Sequence, residues 1–218
     1  MFDPFYLGAQ QDMSSGLINI FEGKLADLLA GGFQPQWFFG HLGFQTGRYY
    51  SSPCNSLAAE SLAANTLYMI PVMVPLPAVL SGIGVKVTTP QAGALGRLGI
   101  YGASGYGPRC GTPGGLVVDA GEISLAAAGE VEIAINQLLY PGLYFLAIVG
   151  NNSSVQIDFH TPEPSFRNSL FGLCASDAVG AAADQALTAS YAYGPLPEYS
   201  IPMNHIVSQL EPHIWLRA

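Results

Sequence analysis

The segment that most constrains this chain is Glu130-Val131-Glu132-Ile133-Ala134-Ile135-Asn136, in which the apolar residues Val131, Ile133 and Ile135 alternate with Glu130, Glu132 and Asn136. A period of two puts the three β-branched residues on one face of an extended strand and the polar residues on the other. A helix would scatter them around its circumference. The segment sits inside a longer stretch, residues 97–150, with three further apolar runs at 98–101, 116–118 and 143–149. Glycine, proline and polar clusters separate the runs, as tight turns require. Short strands with turn signals between them predict antiparallel sheet.

The same alternation recurs at Ile83, Val85 and Val87, and at Val155, Ile157 and Phe159. Residues 66–74 and 79–89 are further strand candidates, and the prolines of the first place it at an edge or a bulge. Residues 213–217 read as a last strand returning to the sheet. Seven or eight strands at roughly even spacing predict an all-β fold, an antiparallel β-sandwich of jelly-roll-like form. Residues 51–65, polar and alanine-rich, read as a loop or short helix. Residues 161–200 form a long Ala/Ser/Gly-rich excursion, with a helix or a loop open at 178–189 and a turn at 191–197. Ahead of the sheet, residues 1–11 read as an extended arm. A short N-terminal helix follows, capped by Ser14 or Ser15 and closed by Gly31-Gly32. The expected organisation is an attachment segment at 1–47 (arm, helix and aromatic stretch) and a β-sandwich module at 48–218.

Half of the residues are hydrophobic and only 10% are charged, against about 25% in ordinary soluble domains. So sparse a charge predicts a surface covered by copies of the chain or by neighbouring subunits. Phe2, Phe5, Trp37, Phe38 and Phe39 are the candidate assembly interface, because aromatic residues are enriched at interface cores. A net charge of −8 argues against a nucleic-acid partner, which calls for clustered Lys and Arg. Membrane insertion is not expected. The apolar tracts at 67–80 and 138–149 are broken by proline, short of the roughly 20 residues of a spanning helix. The opening residues show no signal-peptide pattern. Cys54, Cys110 and Cys174 read as free thiols of a chain made in a reducing cytoplasm.

No catalytic residue, metal site or cofactor is expected. Gly102-Ala103-Ser104-Gly105 misses the spacing of a nucleophile elbow, and Ser104 reads as a turn residue. Glu130 and Glu132 fall on the solvent face of a strand, which is the ordinary place for them. His41, His160, His205 and His213 are scattered, without ligand spacing. Asn151–Ser154 reads as a hairpin turn. Tyr101 and Tyr106 flank one glycine-rich loop, and Tyr191 and Tyr193 belong to another. With flat apolar faces and polar tips, these four are the candidate glycan or receptor contacts.

Several motifs occur in order: Gly82-Ile83-Gly84-Val85-Lys86-Val87-Thr88-Thr89, Arg97-Leu98-Gly99-Ile100-Tyr101, Pro113-Gly114-Gly115-Leu116-Val117-Val118-Asp119-Ala120-Gly121 and Leu139-Tyr140-Pro141-Gly142-Leu143-Tyr144-Phe145-Leu146-Ala147. Tyr193-Gly194-Pro195-Leu196-Pro197 and Ile214-Trp215-Leu216-Arg217 close the series. From about Gln45 to Ala218 the chain resembles the β-rich module near the end of many tailed-bacteriophage tail-fibre and related virion structural proteins. The resemblance implies a non-enzymatic virion subunit, a short tail fibre or tail-tip protein. Its partners would be other virion proteins, a homo-oligomer such as a trimer, and a host surface glycan. A head-attached fibre or decoration protein and a polysaccharide-degrading tailspike-type enzyme are the alternatives.

Overall fold

In the 12-residue strand β4 (Ala78–Thr89), Leu80, Ile83, Val85 and Val87 are buried, whereas Val79 and Lys86 are exposed. It is the spine of a computed structural model that describes residues 44–104, 112–162, 184–207 and 210–218. The chain divides into two units, Met1–Leu42 and Gly43–Ala218, and every described residue belongs to the second. The expected arm, helix and aromatic stretch, with Phe2, Phe5, Trp37, Phe38 and Phe39, lie outside the described residues. So does Tyr106.

Among the described residues there are thirteen strands and no helix. One sheet contains β1 (Tyr49–Ser51), β2 (Cys54–Ser61), β4, β7 (Gly129–Leu139), β9 (Gln156–Pro162), β12 (Glu211–Pro212) and β13 (Ile214–Arg217). One edge of β4 pairs with β7 along most of its length. Its other edge is shared, with β13 covering Gly82–Val85 and β9 beginning at Val87. Beyond these, β1 joins β13, while β2 and β12 join β9. The other sheet is the path β11 (Asn204–Val207), β10 (Asp184–Ser190), β3 (Thr66–Val74), β8 (Gly142–Gly150), β5 (Leu95–Ala103) and β6 (Pro113–Ser124). All these strand pairings are antiparallel. The fold is all-β, two antiparallel sheets contributing to one core.

That core takes Ile83, Val85, Val87, Ile157, Phe159, Ile214 and Leu216 from the first sheet. The second sheet supplies Ile70, Val72, Leu98, Ile100, Leu146 and Ile148. Each such side chain, fully buried, contributes on the order of 1.5–3 kcal/mol of transfer free energy. In β7 the expected alternation holds: Val131, Ile133 and Ile135 pack on the core, and Glu130 and Glu132 point away.

A second apolar cluster, Leu67, Met69, Tyr101, Phe145, Ala147, Val149 and Leu187, uses the opposite side-chain set of β3, β5, β8 and β10. It lies on the other face of the second sheet. Leu196 is part of this cluster, and Tyr191, Tyr193, Ile201 and Met203 pack against it. The second sheet is therefore apolar on both faces, one turned to the core and the other covered by residues 191–203.

Four expectations are corrected. Residues 54–61 of the supposed loop or short helix form β2, and 184–190 of the excursion form β10, because β9 and β3 offer them open edges to pair with. Strand β3 lies inside its sheet rather than at the rim. Pro71 is accommodated because the β10 pairing stops at Met69, leaving that edge of the strand free for a residue without an N–H. Asn151–Ser154 is no hairpin turn, since β8 and β9 belong to different sheets; the residues carry the chain from one to the other.

Candidate functional site

Three of the four candidate contact tyrosines converge on the strap formed by residues 191–203. Its entry is set by Asn65, which adopts a left-handed φ of 58°, a conformation asparagine tolerates better than most residues. The Asn65 carbonyl accepts a bond from Tyr191 N (2.9 Å), and its side-chain oxygen accepts one from Tyr193 N (2.9 Å). Further along, Leu116 N donates to Glu198 O (2.8 Å) and Ser200 N to Gly114 O (2.9 Å). The strap is thus bonded to strand β6 as well as packed on the sheet. At its centre Leu196, 6% exposed, sits over Gly99. A Cβ on Gly99 would strike Leu196 Cδ1 and lie 2.8 Å from Val118 O, so only glycine leaves room.

Beside Leu196 runs a polar latch. Arg97 Nε donates to Asp119 Oδ1 at 2.9 Å and Arg97 Nη2 to Asp119 Oδ2 at 2.7 Å. The Asp119 carboxylate also accepts from Gly121 N (3.1 Å) and Leu196 N (3.3 Å). That bidentate bond holds the Arg97 guanidinium still more firmly protonated than usual. Tyr193 donates its hydroxyl to Glu122 Oε2 at 2.6 Å. Burial, then this bond to Glu122, raises the Tyr193 hydroxyl above its ordinary pKa.

Tyr101 is 0% exposed and donates to Pro197 O at 2.6 Å. Burial, followed by the neighbouring Tyr191, raises its pKa. Its side chain belongs to the apolar cluster that includes Leu196 of the strap, so Tyr101 is corrected from a surface contact to a core residue. Tyr191 donates to Pro195 O within the same strap. Tyr191 and Tyr193 are half-buried, with hydroxyls already committed to the chain's own acceptors.

The outer face of the first sheet is built differently. Alternation turns Lys86, Asp158, His160, Trp215 and Arg217 outward, opposite the core residues Val85, Ile157, Phe159, Ile214 and Leu216. Trp215, 8% exposed, lies on Gly84, where a Cβ would come 2.9 Å from Trp215 Nε1 and 2.5 Å from Val131 O. Arg217 Nη2 approaches Glu132 Oε1 at 2.7 Å. Tyr49, 56% exposed, meets Trp215 edge-on with ring centroids 6.3 Å apart.

Next to these rings is a polar layer. His160 Nε2 lies 2.6 Å from Glu211 Oε1, and both side chains are fully buried. His213 packs edge-on against His160 (5.4 Å between centroids), and its Nε2 lies 3.1 Å from Ser51 Oγ. Burial, with His160 adding to it, lowers the His213 pKa from its ordinary 6.5. Lys86 Nζ is 3.4 Å from Asp158 Oδ2, and across the β4–β7 ladder Lys86 stands opposite Glu130.

Tyr49, Ser51, Lys86, Glu130, Asp158, His213 and Trp215 line a pocket of about 370 Å³. Another cavity, of about 420 Å³, lies beside Glu60, Tyr68 and Phe159. Nothing in the spacing of Tyr49, Lys86, Asp158, His213 and Trp215 along the chain announces the first pocket. The available signal was the alternation itself: Asp158 and His160 occupy the positions between Ile157 and Phe159 and beyond, a polar set on a strand with an apolar inner face. Among the described residues, no group of three or more His, Cys, Asp or Glu side chains is placed to hold a metal ion. Comparisons with protein-family models, with curated proteins and with solved structures return no match.

Proposed function

We propose that this chain is a non-enzymatic structural subunit of a bacteriophage virion, a short tail-fibre or tail-tip protein. Residues 1–47 dock it on the particle, and the two sheets form a jelly-roll-like β-sandwich presented for assembly or for host-glycan binding. One observation carries the reading: the motifs behind the resemblance pack on one another. Gly84 of the first motif lies under Trp215 of the last, and Gly99 of the second lies under Leu196 of the closing segment. Asp119 of the third holds Arg97 of the second. Motifs that interlock by close packing define a structural module, whereas catalytic motifs converge on a reacting atom. Exposed Val79, Leu138 and Tyr140 supply apolar surface for neighbouring subunits.

Quantitative mass spectrometry of purified particles, with immunogold labelling of a tagged full-length chain, tests the proposal. The expected result is a fixed copy number per particle and label at the tail. Label on the head would select the head-fibre or decoration alternative, and absence from particles would remove the virion reading altogether. Shortened host polysaccharide after incubation with the chain would point instead to the enzyme.

A further inference from the structure

We infer that the pocket on the outer face of the first sheet, bounded by Tyr49, Ser51, Lys86, Glu130, Asp158 and His213, binds a neutral pyranose ring. The inference rests on the proposed glycan-presenting role and names the place and the chemistry.

The pocket's volume, about 370 Å³, falls at the small end of the range for ligand sites. Tyr49 supplies the apolar surface. It is 56% exposed and rests edge-on against Trp215. Trp215 is in turn seated by the missing side chain of Gly84. A ring already braced on one side loses less conformational freedom on binding than a free one, and the C–H face of a pyranose stacks on such a surface.

The polar groups fit the hydroxyls of the same ligand. Asp158, with a side chain only 10% exposed, offers carboxylate oxygens that accept from neighbouring hydroxyls. Ser51 and His213 are linked to each other and can donate or accept as the hydroxyl pattern requires. Burial keeps the His213 ring neutral at neutral pH.

The charges set the class. Lys86 is flanked by two carboxylates, Asp158 at 3.4 Å and Glu130 across the ladder. One cation against two anions leaves the pocket negative, so an anionic sugar or a phosphate is repelled. Like charges brought together in this way discriminate against the wrong ligand more than they favour the right one.

The test uses the full-length chain and the methyl glycosides of glucose, galactose, mannose and N-acetylglucosamine, with glucose 6-phosphate as the anionic probe. Binding is read by saturation-transfer NMR and titration. At least one neutral glycoside should bind at millimolar concentration, and glucose 6-phosphate should not. Tyr49→Ala, at an exposed position, should weaken binding at least tenfold with the fold intact by circular dichroism. Asp158→Asn should do the same, and Tyr199→Ala, 69% exposed and outside the pocket, should change nothing. The inference is overturned if no neutral glycoside binds, if Tyr49→Ala leaves affinity unchanged, or if glucose 6-phosphate binds as well as the neutral sugars. Failure here with the chain present in particles removes the pocket alone. Binding by a chain absent from particles removes the virion reading and keeps the pocket.

Discussion

The outer faces of the two sheets solve the same problem in opposite ways. On the second sheet the outer face is apolar, with Met69, Tyr101, Phe145, Val149 and Leu187 buried beneath the chain's own residues 191–203. On the first sheet it is charged and aromatic, with no comparable strap among the described residues. Trp215 lies against a glycine there, and beside it a pocket stays open. The difference teaches how a chain with few charges divides its surface. Apolar side chains on a second face call for a cover, and the cover must be bonded down because its own backbone needs partners. Polar side chains on an outer face can stay near water, but those sunk below the surface must find one another, as His160 and Glu211 do.

The largest expected effect falls on the open face. Glu211→Ala leaves His160 buried without its carboxylate and should cost about 3–5 kcal/mol of stability, measured by urea unfolding. A loss under 1 kcal/mol would mean that the polar layer does not hold this face together, and the contrast between the faces would weaken. Next comes the strap. Leu196→Ala empties the site over Gly99 and should cost about 2–4 kcal/mol. It should also speed amide exchange in residues 191–203 while leaving the pocket unaltered. Global destabilisation with an unchanged exchange rate in the strap would contradict its role as a separate cover.

A smaller effect should appear on titration. His213 has a folded pKa below its ordinary 6.5 because of burial and the adjacent His160, with Lys86 acting in the same direction and Asp158 opposing. The unfolded chain therefore binds the extra proton first. The stability tied to neutral His213 is complete above pH 6.5 and is lost as pH falls from there toward the folded value. For one proton the slope is at most about 1.4 kcal/mol per pH unit. His213→Gln should flatten the wild-type profile in that window, and parallel profiles would show that His213 contributes nothing to acid sensitivity. Tyr193→Phe should have the least effect, about 0.5–1 kcal/mol, because it removes one partly exposed hydrogen bond to Glu122. A larger loss would make the latch, rather than Leu196, the main hold on the strap.

The strand β7 was legible from its residues because one of its faces meets the core and the other meets water, which writes a period of two into the sequence. Strands β3 and β8 carried a second message in Leu-Tyr-Met-Ile-Pro-Val-Met-Val and Leu-Tyr-Phe-Leu-Ala-Ile-Val. Apolar on both sets of positions, they suit strands buried on both faces, but the prolines of the first had pointed to an edge or a bulge, and the cover showed itself only in the folded chain. Strand β10 left no such trace. Its Ala186, Leu187 and Ala189 are too small and too few to make a pattern, and the edge of β3 makes them a strand. Of the candidate contacts, Tyr101 misled because a tyrosine beside glycines also suits a buried position whose hydroxyl reaches a carbonyl.

Local period, set by side chains alternating along each strand, determined from the residues alone that this is a β protein and which side chains of β4, β7 and β9 turn inward. Which outward face would be covered, and which polar residues would meet, was decided only by the assembled sheets. Ser51 and His213 touch although they stand 162 positions apart. Such a contact depends on strand order and register, which no short window of residues contains.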